Sequence, residues 1–420
     1  MLKRKLLKII SFKKLLLVAA IFALGAGFGH WYLGKINFPQ KLVQEEKNTP
    51  KAFLSETYDK IKENYWETLT DEQLTSMFKN ASSALGNPLS SEILTKDELI
   101  KKLDKEKAVK LVAHVLANLQ PIGRSGLFGQ KQEQELKNTV SNINPDKDLY
   151  KDLGLSKGAS EEVVTQAYEK KEEELKKEQT PQAQEQLKQI AYAKEVLTKK
   201  ESKQRYDAGG VEPTIFTKVI GPVLYLQFTK FSPTSLEEFQ QAFDAHKDNA
   251  ALDSLIFDLR GNVGGAIDAT ALFLGFFLGK NQLAFEFYKK GDFLPFRTPT
   301  EKLPTLPKYK QIVVLIDGST QSSAEMMAAT FKKYHLGVVL GDKTKGWGTV
   351  ERIFPLDNQI DPKEKYSMFL VHSITLRDDN QPIEGRGVEP DINIQDSNWQ
   401  QQLFSYFRNQ DIINAVKSLI

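Results

Sequence analysis

Leu255-Ile256-Phe257-Asp258-Leu259-Arg260-Gly261-Asn262-Val263-Gly264-Gly265 is the stretch on which the fold of this chain turns. An apolar run closed by a glycine-rich turn reads as a buried strand that feeds a helix. Apolar residues at helical spacing follow over Ala266–Leu274. Gly261, Gly264 and Gly265 let backbone N–H groups approach a ligand with no Cβ in the way. Such a turn could supply one donor of an oxyanion hole. The same residues also fit an ordinary tight connection, so the turn alone decides nothing.

A second strand-turn-helix runs Ile312-Val313-Val314-Leu315-Ile316-Asp317-Gly318-Ser319-Thr320-Gln321-Ser322-Ser323-Ala324-Glu325. A serine on such a turn sits at a helix N-terminus, where free N–H groups and the helix dipole favour developing negative charge. Serine is equally a favoured N-cap, and most such junctions are only caps.

Together the two segments resemble the tail-specific, or C-terminal processing, serine peptidases, with their Leu-Arg-Gly-Asn-x-Gly-Gly turn and Ser-Ala-Ser-Glu nucleophile turn. The resemblance continues through Gly341-Asp342-Lys343-Thr344-Lys345-Gly346-Trp347-Gly348-Thr349-Val350-Glu351 and closes with Ile383-Glu384-Gly385-Arg386-Gly387-Val388-Glu389-Pro390-Asp391-Ile392. It covers roughly 215–396, and four motifs in order make it specific. It implies an α+β chain ending in a mixed α/β, ClpP/crotonase-like peptidase domain. It also implies Ser322 as nucleophile, with the N–H of Ser323 and that of Gly264 or Gly265 as the oxyanion hole.

Here the family pattern breaks. The resemblance assigns the general-base lysine slot to Trp347 and the supporting glutamine slot to Glu351. A serine hydroxyl needs an adjacent base to take its proton, and an indole has only an N–H donor. The family's aromatic and lysine are exchanged here, as Lys345-Gly346-Trp347. Residues two apart on a strand share a face, so Lys345 could serve as a displaced base if this piece is extended. Against it, one such step moves a Cα by roughly 6–7 Å, while catalysis tolerates about 1 Å of misplacement. The opposing expectation is a protease-like scaffold that binds extended polypeptide without cutting it.

Among five histidines, only His372, in the strand-like run Phe369–Ile374, is placed where it could point into a groove. No His/Asp/Glu cluster has ligand spacing and there is no cysteine. Neither a metal nor another cofactor is expected, and disulfides are excluded. A net charge of +3 with acids and bases intermingled does not call for nucleic acid.

Basic residues Lys3, Arg4, Lys5, Lys8, Lys13 and Lys14 (a tail over 1–14) precede an apolar run over 15–34. About 20 residues suffice to span a bilayer core. The charge order puts the N-terminus in the cytoplasm and the bulk outside, at the plasma membrane as a single-pass protein. The run lacks an Ala-x-Ala site and ends in Trp31-Tyr32, which favours an uncleaved anchor over a signal peptide. A linker over 35–52 follows.

Residues 53–146 read as an N-terminal helical domain, with Phe53, Leu54, Tyr58, Ile61, Tyr65 and Trp66 forming a core-facing stripe. Thr70-Asp71-Glu72-Gln73 is an N-cap signature. Asn87-Pro88-Leu89-Ser90-Ser91-Glu92-Ile93-Leu94 is similar to the Asp-Pro-His-Ser-Ser-Tyr-Leu stretch of processing peptidases. Those enzymes place a PDZ domain next. Residues 147–210 instead resemble a DnaJ-type J-domain, a helical hairpin with Val163, Ala167, Leu187, Ile190, Ala191 and Val196 expected inward. Where a J-domain carries His-Pro-Asp, this chain reads Lys177-Glu178-Gln179-Thr180-Pro181-Gln182. No chaperone ATPase partner is therefore expected. The peptidase-like domain is expected over 211–398 and one C-terminal helix over 399–420, with polypeptides as partners and homo-oligomerisation left open.

Overall fold

The computed structural model describes residues 47–86, 104–178 and 180–420. The basic tail, the expected anchor over 15–34, most of the linker, the 87–94 stretch and Gln179 lie outside the described residues. Among the described residues no helix is long and apolar enough to cross a membrane.

The chain begins with α1 (Pro50–Asn64), α2 (Asp71–Ala84) and α3 (Lys105–Ala117). Pro50 stands at the first turn of α1, where its missing N–H costs nothing. The N-cap signature before α2 is a true capping box: Gln73 N–H donates to Thr70 Oγ1 (3.1 Å) and Thr70 N–H to Gln73 Oε1 (2.8 Å). The expected stripe is buried, with Phe53 and Ile61 fully so, and only Trp66 partly covered.

This first region is not a free-standing helical domain. It contributes the short strand β1 (Gly126–Phe128), followed by α4 (Gln130–Val140). Its helices also share one core with Met368, Leu370, Val371 and Ile374 of a distant strand.

The J-like hairpin comprises α5 (Leu149–Asp152), α6 (Glu161–Lys176), α7 (Pro181–Thr198) and α8 (Lys200–Gly209). Its core is Leu149, Tyr150, Leu153, Val164, Ile190, Ala193, Val196 and Leu197. The expected inward set needs two corrections: Val163 is 43% exposed and Ala191 is exposed, while Val164 and Ala193 are buried. The Ser160 cap starts α6 at Glu161, which puts the inward stripe at 164, 167–168, 171 and 175. The Lys176–Glu172 and Lys177–Glu173 pairs form on the solvent side at 3.1 and 2.9 Å.

The remainder builds two sheets from β2 (Ile215–Ile220), β3 (Val223–Phe228), α9 (Ser235–Asp244), β4 (Ser254–Asp258), α10 (Ile267–Leu278), β5 (Leu283–Lys289), β6 (Asp292–Arg297), β7 (Gln311–Ile316), α11 (Ser323–Lys333), β8 (Val338–Gly341), β9 (Thr349–Pro355), β10 (Ser367–Thr375) and β11 (Ile392–Asn393). One has the order β11-β8-β7-β4-β3-β2, parallel throughout except for the β2–β3 hairpin. Its central strand β4 is buried at every residue, as a parallel strand covered on both faces must be. The other sheet runs β1-β10-β5-β6, with β9 also on β10. Between them lies a core rich in phenylalanine: Phe228, Phe231, Phe239, Phe257 and Phe273 are all fully buried.

The C-terminus forms two helices where one was expected, α12 (Trp399–Phe407) and α13 (Gln410–Lys417). Arg408 adopts a left-handed φ of 50° and Asn409 caps the second helix, so the chain turns between them.

Candidate active site

Strands β4 and β7 are parallel neighbours, so the turns that follow them emerge side by side at the same sheet edge. Ligand sites of open α/β sheets lie at such carboxyl ends. Each turn is braced by its own sequence. The buried Asp258 carboxylate takes Arg260 Nε (3.0 Å) and Nη2 (2.7 Å), together with the Tyr225 hydroxyl (2.9 Å). That is what the arginine of the first motif does. Asn262, fully buried, donates to Phe228 O (2.7 Å) and accepts from Gly264 N–H (2.8 Å). Asp317 Oδ1 ties the turns together by accepting from Gly261 N–H (3.0 Å) and Thr320 N–H (2.8 Å).

Ser322 stands at the start of α11 with φ 58° and ψ −123°. A non-glycine residue in this region costs about 1–3 kcal/mol and persists only where the surroundings hold it. The holding group is Glu325, fully buried one turn into the helix. It accepts from Ser322 N–H (2.8 Å), Gly346 N–H (2.7 Å), Trp347 N–H (2.8 Å) and the Thr344 hydroxyl. Burial pushes its carboxyl above the ordinary range, and those four donors oppose the shift. One carboxylate thus pins the 344–347 loop to the serine turn.

The turns that carry the expected oxyanion-hole donors adjoin, and one of the expected N–H groups is already engaged. Gly264 N–H is occupied by Asn262, so Gly265 N–H and Ser323 N–H remain as the pair. Ser323 opens α11, where an N–H has no partner in the helix. Its hydroxyl donates to Gly265 O (3.2 Å), joining the two turns. Gly264 matters sterically. A Cβ there would lie 2.6 Å from Ser322 Cβ and 3.1 Å from its Oγ, at a φ of +82°.

Around the expected base the picture is different. Residues 343–348 form no strand, and Gly346 has φ +83°, so the extended geometry that would have put Lys345 and Trp347 on one face is absent. The Lys345 backbone reaches the serine turn, donating to Thr320 O (3.0 Å), but its side chain is exposed, with Nζ 5.7 Å from the Trp347 ring centroid. Among the described residues no nitrogen base lies within hydrogen-bond distance of Ser322 Oγ. The His372 ring nitrogens are engaged by other partners: its Nε2 is 2.8 Å from Lys289 Nζ and its Nδ1 2.7 Å from Ser373 Oγ. Trp347 donates its indole N–H to Glu351 Oε1 (3.2 Å), which also accepts the Thr349 hydroxyl. Burial raises the Glu351 carboxyl above its usual range.

Two participants were not visible in the sequence. Arg124, from the loop before β1, lays its guanidinium 3.4 Å from the Trp347 ring centroid. It also donates to Glu384 Oε1 through Nε (3.2 Å) and Nη2 (3.1 Å). Glu384 Oε2 accepts from Gly348 N–H (2.7 Å), so the fourth motif closes against the third. Gly348 is required there, because a Cβ would meet Glu384 N at 2.1 Å.

Residues 222–394 match the model of peptidase family S41, and residues 148–207 match that of the DnaJ domain. The family S41 match thus takes in both strand-turn-helix segments and the two motifs that follow them. The S41 region is similar to a carboxy-terminal-processing protease of Bartonella bacilliformis, 27% identical over 182 residues, 42% of this chain and 40% of that protein. It is also similar to the carboxy-terminal processing protease CtpA of Bacillus subtilis, 30% identical over 169 residues, 40% of this chain and 34% of that protein. The matches thus span about two fifths or less of these relatives. A solved structure titled photosystem II D1 C-terminal processing protease shares the fold, with a TM-score of 0.50 at 13% identity, covering 82% of this chain and 92% of that one. The S41 domain accounts for the four motifs, and the DnaJ match accounts for the hairpin before them.

Proposed function

We propose that this protein is a serine-type peptidase of the C-terminal processing kind, acting on polypeptides outside the cytoplasm from an anchor at 15–34. The single observation that carries the reading is the Ser322 turn. A serine held at left-handed φ, against Gly264 and between the N–H groups of Gly265 and Ser323, is built for acyl transfer. In that reaction the Ser322 oxygen attacks a peptide carbonyl, and the two N–H groups stabilise the oxyanion. The proton then has to go to a base, and with Trp347 in the lysine slot of the family we assign that task to Lys345, after its exposed side chain swings inward with bound substrate.

A second reading is favoured by the packing of Arg124, Trp347 and Glu351, which fills the base slot with a closed set of contacts. On that reading the domain grips extended polypeptide without cleaving it. Digestion of casein by the full chain in detergent, compared with Ser322→Ala, separates the two. Cleavage lost in the variant supports the peptidase, whereas identical traces refute it. Retention of full cleavage in Lys345→Ala removes that residue from the mechanism. We further infer that the J-like hairpin stands where family members carry a PDZ domain and works as a spacer or polypeptide-binding surface, without an ATPase partner.

A further inference from the structure

Trp347 forms one wall of a slot suited to a flat cation, and the chain's own Arg124 fills it. Arg124 stands on the loop between α3 and β1. Its guanidinium carbon is 3.4 Å from the Trp347 ring centroid, the geometry of a cation stacked on an indole face. Nε and Nη2 both donate to Glu384 Oε1, at 3.2 and 3.1 Å. Glu351, which accepts the indole N–H, feels the same charge: burial raises its carboxyl, while the bonds from Thr349 and Trp347 and the Arg124 cation lower it. An aromatic face and two carboxylates thus converge on one guanidinium. Lys345 Nζ, on an exposed side chain 5.7 Å from the same centroid, is a second cation near the ring.

The slot is fixed against the serine turn, whereas its occupant is only lightly held. Glu325 Oε2 accepts from Ser322 N–H and from Trp347 N–H, each at 2.8 Å, so the two backbones flank a single oxygen atom. Glu384 holds Gly348 N–H at 2.7 Å through its other oxygen. The loop bearing Arg124 is pinned at Ser125, whose Oγ accepts from Val371 N–H (3.1 Å). Ahead of that pin, Gly123 has φ +78° with open space where a Cβ would be, and Ile122 is 67% exposed. The side chains of Arg124 and Glu384 keep 19% and 16% of their surface, so the slot opens to solvent along one edge.

An arginine side chain arriving with a bound polypeptide would meet the same ring face and the same acceptor. We propose that the Trp347–Glu384 slot recognises an arginine side chain of a polypeptide lying at Ser322, and that Arg124 is a stand-in displaced when that polypeptide binds. The inference rests on the polypeptide-binding reading above and names the substrate class, chains that carry arginine. Lysine fits less well, because its ammonium lacks the plane that stacks on an indole.

The test uses the full chain in detergent carrying Ser322→Ala, so that binding is read without cleavage. Three fluorescent unstructured peptides differ at one central position, occupied by arginine, lysine or citrulline, the last an uncharged isostere of arginine. By polarisation the arginine peptide should bind about tenfold more tightly than the citrulline peptide, the scale of one charge-assisted hydrogen bond. The lysine peptide should fall between them. Arg124→Ala empties the slot and should strengthen arginine binding further while leaving the citrulline peptide unchanged. Glu384→Gln, which keeps an acceptor for Gly348 N–H, should make the arginine and citrulline peptides equal. Equal affinities for those two peptides in the chain that keeps Arg124 overturn the slot, and that measurement needs no further variant. Equal affinities for arginine and lysine also overturn it, since bulk charge would then be the whole effect. Weaker arginine binding after Arg124→Ala, with citrulline binding retained, overturns the stand-in role. Loss of both would mean unfolding, and the ratio in the chain with Arg124 then decides. An arginine preference without casein cleavage by the unsubstituted chain keeps the slot and refutes the peptidase. Ser322-dependent cleavage without the preference does the reverse.

Discussion

Glu325→Gln tests the claim that one buried carboxylate assembles the site. The substitution keeps the shape and one acceptor oxygen. The new amide nitrogen, however, must face two of the four donors that now converge there: Ser322 N–H, Gly346 N–H, Trp347 N–H and the Thr344 hydroxyl. Each buried donor left without an acceptor costs about 1–3 kcal/mol, so two cost about 2–6 kcal/mol. In a cooperative unit spanning Lys47–Ile420 that lowers the melting temperature by roughly 3–8 °C. The serine turn should suffer more than the fold, because the left-handed Ser322 has no other carboxylate holding it. Thermal unfolding by circular dichroism reads the first effect, and the rate of labelling of Ser322 by a serine-directed phosphonate reads the second. A variant melting within 1 °C of the original and labelled at the same rate would show that Glu325 is a bystander.

Four further outcomes are expected. Gly264→Ala places a Cβ 2.6 Å from Ser322 Cβ at an unfavourable φ, so Ser322 labelling should be lost, measured by mass spectrometry. Arg124→Ala removes the guanidinium from the Trp347 face together with its bonds to Glu384; a loss of about 1–3 kcal/mol and a change in tryptophan fluorescence should accompany it. Phe257→Ala, at a fully buried position, should cost about 3–5 kcal/mol in urea unfolding. For Glu351 the folded pKa is raised by burial, so its stabilising share is complete below the unfolded carboxyl pKa and is lost as pH climbs through the folded value. The melting temperature of Glu351→Gln relative to the parent should therefore rise from acid to neutral pH, and a flat difference would contradict the assignment.

The parts of this site that the sequence revealed are those written locally. A buried strand, a glycine turn and a helix start can all be read within a dozen residues, and the two turns so read adjoin, with the Ser323 hydroxyl donating to Gly265 O. What stayed hidden depends on partners far apart in the chain. Arg124 and Glu384 are 260 positions apart, and no periodicity links them. Strand β1 is three residues long, too short to show alternation, and it stands among helices. In the hairpin the helical pattern was right but its phase was not. Val163 and Val164 are equally apolar, and only the Ser160 cap decides which one faces inward. Lys345 reaches the Trp347 ring from the surface, 5.7 Å from its centroid, and not along a shared strand face, because Gly346 turns the chain where an extended run had been assumed.

The seam between β1 and β10 carries a practical consequence for anyone dissecting this molecule. Gly126, Leu127 and Phe128 pair with Phe369, Met368 and Ser367, and the helices before them cover Leu370 and Val371. A fragment cut to begin at Val211 would bare both an unpaired strand margin and a greasy patch, the combination that draws one chain onto another. Shortened versions should therefore clump, whereas those beginning ahead of Thr49 should stay dispersed.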